Sequence, residues 1–272
     1  MILSEISGSS MPIIAVYVGR FHPMGMHHYL TYVAASRIFG ANDTYIVTSD
    51  TVKLPKSPLN FAEKEKIAIA HGVPEDKIVF CRSGYQPLEL HQKIQRERKI
   101  SDDEYAIVFI VGDKDMREDP RFSSLGGMTK PTKRNPVPRP RYMRMFPSDI
   151  RDLQPASKHG YVYTVPHVSY RLPNGDESSG TNLRNFLYAS TPEQFEEAMG
   201  FFDQEIYDLL KDKFDPANLH GVSTLTEAKR SRSKLFHGQQ AYSDYLEEIM
   251  SELQFIKKSY ESTRKSGYRY RK

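Results

Sequence analysis

The chain has 272 residues, enough for one large α/β domain with an extension or for two small domains. Its 39% hydrophobic content, mean hydropathy of −0.58 and lack of any run approaching the roughly 18 apolar residues of a spanning helix exclude a membrane protein. The single cysteine, Cys81, excludes a disulfide framework and a cysteine-based zinc site and points to a reducing, cytoplasmic setting. The net charge of +4 is unevenly placed. Residues 114–160 carry eleven Lys/Arg against five Asp/Glu, residues 257–272 carry seven against one, and the remainder is about −8. Two basic zones on an acidic body point to polyanion contacts at defined places.

Residues 1–11 lack the basic and apolar regions of a secretory signal and read as a short flexible leader. Pro12–Val18 is a short apolar, β-branched run, a buried strand stopped by Gly19. Leu30, Val33, Ala34 and Ile38 then recur at helical spacing over His28–Phe39, with Gly40 as the stop. Thr44–Thr48 is a second strand. Asn60 with Glu63 three residues later is a capping-box pattern that opens a helix over Phe61–His71. Lys77–Cys81 reads as a strand, Leu88–Lys99 as a polar helix, Tyr105–Val111 as the most hydrophobic strand, and Tyr161–Val165 as a fifth strand.

Strands that are near-continuous apolar runs, alternating with helices, predict a parallel sheet covered on both faces: an α/β, Rossmann-like fold. Ligands of such sheets bind beyond the carboxyl ends of the strands, so the loops after Val18, Thr48 and Val111 are the places to look for chemistry. Residues 114–160 show no periodicity and hold seven prolines, which predicts a flap-like insertion. From Thr191 the chain reads helical: one helix over Pro192–Lys213, a break at Asp215-Pro216, a polar linker over 221–234, and a long helix over 239–262. The last carries a stripe of Tyr242, Tyr245, Ile249, Leu253, Ile256 and Tyr260 that would bury against the body, a second copy or another partner. The organisation is thus a domain over 12–190, a helical extension over 191–262 and a basic tail over 263–272.

Two segments carry the chemistry. The first is Gly19-Arg20-Phe21-His22-Pro23-Met24-Gly25-Met26-His27-His28: a strand end, a glycine, and a loop feeding a helix N-terminus. The amides and positive dipole of such a terminus favour phosphate. His28 lies in the first turn, and Arg20 adds a permanent charge of fork geometry. The second is Ser178-Ser179-Gly180-Thr181-Asn182-Leu183-Arg184. Here Thr181 reads as the N-cap of a helix over Asn182–Tyr188. Gly180 lets a phosphate approach the backbone, and Arg184 reaches back over the terminus. A plainer reading of each is ordinary helix capping with surface histidines, which leaves the arginines unexplained. Asp113, at the end of the fourth strand, is a ribose or magnesium ligand, or a turn residue. His22, His27 and His28 have no carboxylate or thiolate co-ligand and are not read as a metal site. No P-loop pattern and no G-x-G-x-x-G occurs, which removes support for kinase and dehydrogenase readings.

At these residues the chain resembles the HxGH nucleotidyltransferase superfamily, which includes nicotinamide-mononucleotide adenylyltransferases and cytidylyltransferases. Gly19, Arg20, Phe21, Pro23 and His28 match the first motif, G-R-F-x-P-x-H-x-G-H. Ser178 to Arg184 is similar to the closing motif, I-S-x-T-x-x-R, and Ser57 to Lys64 to an N-P-F-T-x-x-E-R segment. The resemblance spans roughly 12–190. Phage-encoded relatives with altered first motifs belong to the same superfamily, and this chain has something of their look. It implies transfer of AMP from ATP, with Mg²⁺, onto a phosphate-bearing acceptor, nicotinamide mononucleotide foremost, in NAD biosynthesis. CTP is the variant donor. The roles it implies are His28 and the amides of Gly19 to Phe21 on the α and β phosphates, Arg184 and Thr181 on the β and γ phosphates, and Arg20 and Lys64 as further charge.

Two departures stand out. The motif's first histidine is Gly25 here and its glycine is His27, so one phosphate-contacting histidine is lost or moved, with His27 and His22 the candidates to fill the gap by a different backbone path. The Glu–Arg pair of the middle segment is Glu63-Lys64, which keeps charge but loses the bidentate fork. The altered motif also admits a reading without turnover, in which the fold serves assembly through residues 239–262. A third reading is nucleic-acid binding through the basic zones. Thr129–Arg144 carries six Lys/Arg among four prolines, and this stretch either closes over a triphosphate or binds nucleic acid, with Tyr142 available to stack on a base.

Overall fold

The computed structural model describes residues 11–220 apart from 132, 134, 135 and 167. All of the leader but Met11, the linker over 221–234, the expected helix over 239–262 and the basic tail lie outside the described residues. Six parallel strands form one sheet: β1 Ile13–Val18, β2 Thr44–Thr48, β3 Ile78–Phe80, β4 Ala106–Gly112, β5 Met143–Met145 and β6 Gly160–Val165, in the order β3-β2-β1-β4-β6-β5. The helices are α1 Met26–Phe39, α2 Phe61–Ala70, α3 Leu88–Arg98, α4 Asp113–Glu118, α5 Gly180–Ala189, α6 Pro192–Met199, α7 Gln204–Phe214 and α8 Pro216–His220.

Alternation along the strands separates the two faces. Ala15 and Tyr17 of β1, Ile46 of β2 and Val108 and Ile110 of β4 pack under α1, α2, α5, α6 and α7 through Tyr32, Phe39, Ile67, Leu183, Phe195 and Leu210. Ile14, Val16, Tyr45, Val47, Ile107 and Phe109 point the other way, onto Leu90 and Ile94 of α3. Burial on both faces is what the continuous apolar runs require. The strand order reverses between β1 and β4, whose register includes Tyr17 opposite Ile110. A doubly wound sheet opens a crevice at that switch point.

Three expectations are corrected. The single helix over 192–213 is two helices: Gly200, at φ +76°, closes α6, and the Asp203 carboxylate accepts from the Ile206 N–H to open α7. The stretch 114–160 is not structureless, for it holds most of α4, the short strand β5 and a 3-10 turn at Ile150–Asp152. β5 went unread because a three-residue strand between prolines has no visible period. The cap of α5 is Ser179, whose Oγ accepts from the Asn182 N–H at 3.2 Å, so that Gly180 is the first helical residue and Thr181 the second. No helix among the described residues is long and apolar enough to cross a membrane.

Candidate functional site

The first helix tip is built by the chain leaving β1. The Gly19 N–H donates to the Val47 carbonyl, holding the chain to β2 one residue past the strand. Phe21 takes φ +45° and folds its ring back over Gly19, where an added Cβ would lie 2.3 Å from the ring. Only glycine fits there. The Phe21 ring is buried, edge-on to Tyr17 and to His28 at 5.3 Å, so what Phe21 offers a ligand is its backbone.

Gly25 is the N-cap of α1, and its N–H donates to His28 Nδ1 at 3.1 Å. Burial first, then His27 and His71, hold the His28 pKa well below the ordinary imidazole value. A neutral ring whose Nδ1 accepts must carry its proton on Nε2. His22 is organised in the same way: Nδ1 accepts from the Leu59 N–H at 3.2 Å, and burial, then Lys64, Arg184 and Arg20, bring its pKa down to about 3. Two neutral imidazoles thus each have a tautomer set by a backbone amide, with Nε2–H as the donor.

The second tip meets the first directly. Arg184 Nη1 donates to the His22 carbonyl at 3.0 Å, and Nη2 donates to Thr181 Oγ1 at 3.3 Å. His27 Nδ1 and Ser178 Oγ lie 3.3 Å apart, and the His27 ring lies against His28, tilted by 39°, with centroids 3.9 Å apart. Arg20 is exposed; burial first, and then the charge of Arg20, lower the pKa of Arg184, and Arg20 adds the smallest part of the lowering at His22. The N-termini of α1 and α5 therefore face one another with guanidinium charge between them. Such an arrangement of helix ends and guanidinium charge suits an anion of several negative charges.

Packing explains the glycine at position 25. A Cβ there would lie 2.8 Å from Leu183 Cδ2 and 3.3 Å from two atoms of the His27 ring. His27 and Leu183 occupy the space in which a side chain at 25 would start. Gly25→His is therefore expected to destabilise the fold by about 1–3 kcal/mol through overpacking, without raising any activity. Urea denaturation of the variant measures this, and unchanged stability would mean that the space is open.

Of the remaining expected residues, Lys64 is placed differently from an exposed charge. It is 2% exposed, its Nζ donates to the Ser49 carbonyl at 2.5 Å, and burial lowers its pKa to about 8 despite Asp50 and Glu63. It acts on the site through its field at His22 and by holding the loop after β2. That loop is also held by Asp50, whose Oδ1 accepts from the Phe61 N–H at 2.6 Å. The expected capping box at Asn60 and Glu63 is present in both directions. Asp113 opens α4 directly after β4, one residue beyond the position that the register sets opposite Gly19. Its Oδ2 lies 3.3 Å from Arg117, and its buried Oδ1 has no hydrogen-bond partner among the described residues.

His71 was not legible as part of the site. It caps α2 at its far end, stacks on Tyr29, and donates from Nε2 to the Met24 carbonyl at 2.9 Å, which fixes the loop before Gly25. Burial brings its pKa down to about 4. Both His71 and His22 are neutral in the folded protein, whereas an unfolded histidine titrates near 6.5. Below pH 6.5 the unfolded chain takes up protons that these two rings refuse, so stability falls from about pH 6.5 toward pH 4 and 3. Thermal melts between pH 7 and pH 4.5 are expected to show this fall. His71→Gln, which keeps a donor for Met24, should make the fall shallower, leaving the part that His22 contributes. An unchanged slope in the variant would put the acid sensitivity elsewhere.

No protein-family model matches the chain, and no curated protein matches it in sequence. Solved structures resemble it at low identity. Nicotinic acid mononucleotide adenylyltransferase of Plasmodium falciparum, complexed with APC, is 13% identical with a TM-score of 0.41, covering 77% of this chain and 98% of that one. The same enzyme complexed with NaAD gives 13% and 0.41, with 76% and 98% covered. A bifunctional NMN adenylyltransferase/ADP ribose pyrophosphatase of Francisella tularensis, complexed with AMP and a manganese ion, is 14% identical with a TM-score of 0.35. It covers 74% of this chain, which spans 52% of that enzyme. At these values the function has to be read from this chain's own residues.

Proposed function

We propose that the protein is a nucleotidyltransferase that moves AMP from ATP onto a phosphate-bearing acceptor and releases pyrophosphate. The observation that carries this reading is the Arg184–His22 contact, 3.0 Å long, which ties the N-terminus of α5 to the loop feeding α1. It makes one cradle of two phosphate-seeking helix ends at the switch point of the sheet. The motif resemblance of Gly19 to His28 and of Ser178 to Arg184 adds the reaction class, and it names nicotinamide mononucleotide as the acceptor.

An acceptor phosphate oxygen attacks the α-phosphorus of ATP in line. One P–O bond forms as the bond to the β-phosphate oxygen breaks, and pyrophosphate leaves with its electron pair. No protein nucleophile is needed, so the protein contributes position and charge. His28 Nε2–H and the amides of Gly19, Arg20 and Phe21 hold the α and β phosphates. Arg184, with Thr181 and the first turn of α5 at Gly180, holds the β and γ phosphates. Arg20, at the exposed mouth, attracts the acceptor phosphate. The histidines are neutral and serve as donors, and the permanent charge comes from the arginines. His27, seated against Gly25 and packed at a tilt on His28, supports the cradle wall that the motif's first histidine would form.

The buried, unpartnered Oδ1 of Asp113 fits a hard divalent cation held by one carboxylate and by phosphate oxygens. Magnesium bound there would neutralise charge on the leaving pyrophosphate. The test is pyrophosphate release from ATP and Mg²⁺ with nicotinamide mononucleotide, nicotinic acid mononucleotide or no acceptor. Turnover that needs a mononucleotide and is lost in His28→Ala supports the reading. No release with either mononucleotide, with ATP or CTP as donor, removes it.

A further inference from the structure

A strongly charged feature lies outside the cradle. Between residues 120 and 148 the chain carries seven Lys/Arg and no Asp or Glu. Within it, residues 127–129 and 139–141 run antiparallel as the two sides of an arm. Thr129 N–H donates to the Arg139 carbonyl at 2.8 Å, Arg141 N–H to the Gly127 carbonyl at 2.8 Å, and Met128 bridges Pro140. The Gly126 N–H donates to the Met143 carbonyl, so the arm prolongs β5 backward past its first residue.

That direction decides what the arm can serve. Met143 is in register with Gly160, the first residue of β6, so the arm is rooted at the amino end of the sheet. The cradle lies beyond the carboxyl ends of β1 and β4. A lid over the triphosphate, one of the two expectations for this stretch, does not follow from that placement. Stacking of a base on Tyr142 fails too: the ring packs with Phe109 and Ala156, and its hydroxyl donates to the Ala156 carbonyl at 2.6 Å.

The charges themselves are unspent. On the body several cations pair with carboxylates: Lys66 with Glu205, Arg98 with Asp43, Lys213 with Glu63. Lys130, Lys133, Arg139 and Arg141 meet no carboxylate among the described residues; Lys130, Lys133 and Arg139 are exposed, and Arg141 is half-buried. Pro138 and Pro140 alternate with Arg139 and Arg141, which keeps this strand extended and sets both arginines on one side of it. Their separation, about 7 Å in extended chain, is close to that of successive phosphates along a nucleic-acid strand. Val137 and Met128, 68% and 56% exposed, add apolar surface beside the charge. A stiff basic ribbon with apolar residues is a form that enters nucleic-acid grooves.

We infer that this arm, through Lys130, Lys133, Arg139 and Arg141, binds the phosphate backbone of a nucleic acid, at a place separate from the nucleotide cradle. Binding of the full-length protein to a fluorescent 24-nucleotide DNA single strand, the corresponding duplex and the corresponding RNA, followed by anisotropy, tests it. Four phosphate contacts lower the affinity about 50- to 150-fold between 50 and 200 mM salt. Lys130→Ser, Lys133→Ser, Arg139→Ser and Arg141→Ser combined are expected to weaken binding at least tenfold and flatten the salt slope. Arg139→Lys with Arg141→Lys should keep the slope, and Arg184→Ala should bind as the wild type does. No binding to any of the three probes, salt-independent binding, or wild-type binding by the fourfold variant with its melting temperature unchanged overturns the inference. So does loss of binding in Arg184→Ala, which would route the nucleic acid through the cradle.

Discussion

Arg184→Ala is expected to lower pyrophosphate release by about 10²–10³, the range for losing one preorganised donor to developing charge. Two effects coincide. The β and γ phosphates lose a guanidinium, and the His22 carbonyl loses the donor that joins the two halves of the cradle. Arg184→Lys separates them. Lysine restores a positive charge but not the fork that reaches His22 and Thr181 together. Its release rate should recover by about one order of magnitude at most. Full recovery would mean that charge alone matters there. The thermal midpoint of each variant, read alongside the rate, shows whether the loss is of the fold.

His28→Ala is the second large effect, again about 10²–10³ in release rate. The substitution also frees the Gly25 N–H from its acceptor, at a cost of roughly 1 kcal/mol, the scale of a lost helix cap. His28→Asn isolates the chemistry: its side-chain oxygen suits the Gly25 amide, while the imidazole Nε2–H is gone. Stability close to wild type with the release rate still depressed assigns the imidazole to the phosphates. Wild-type turnover in His28→Asn would leave His28 a capping residue and no more.

Much of this site is legible in sequence because helix ends are written locally. Gly19, Asn60 with Glu63, and Arg184 one turn inside α5 are each readable from spacing, and each stands where the spacing implies. The cap of α5 was misplaced by two residues because Ser179 and Thr181 are both good caps. In the structure the Ser178 N–H donates to the Tyr170 carbonyl and the next residue, Ser179, takes the cap. The meeting of residues 22 and 184 joins segments more than 150 positions apart, and the β1–β4 pairing at the centre of the sheet joins segments more than 90 apart; a single sequence gives no local sign of either. His71 is the clearest case. Nothing at the end of an amphipathic helix marks a histidine that will reach back to Met24. The basic arm shows the reverse: its charge was plain, and only the register of β5 on β6 revealed which end of the sheet it leaves.

Calorimetric titration with tripolyphosphate, which carries the anion without base or sugar, bears most directly on the two opposed helix ends. The wild type is expected to take up one equivalent, and His28→Ala and Arg184→Ala are each expected to weaken that same event at least tenfold, about 1.4 kcal/mol. A variant of either residue that binds tripolyphosphate as tightly as the wild type would show that the two ends do not share a ligand.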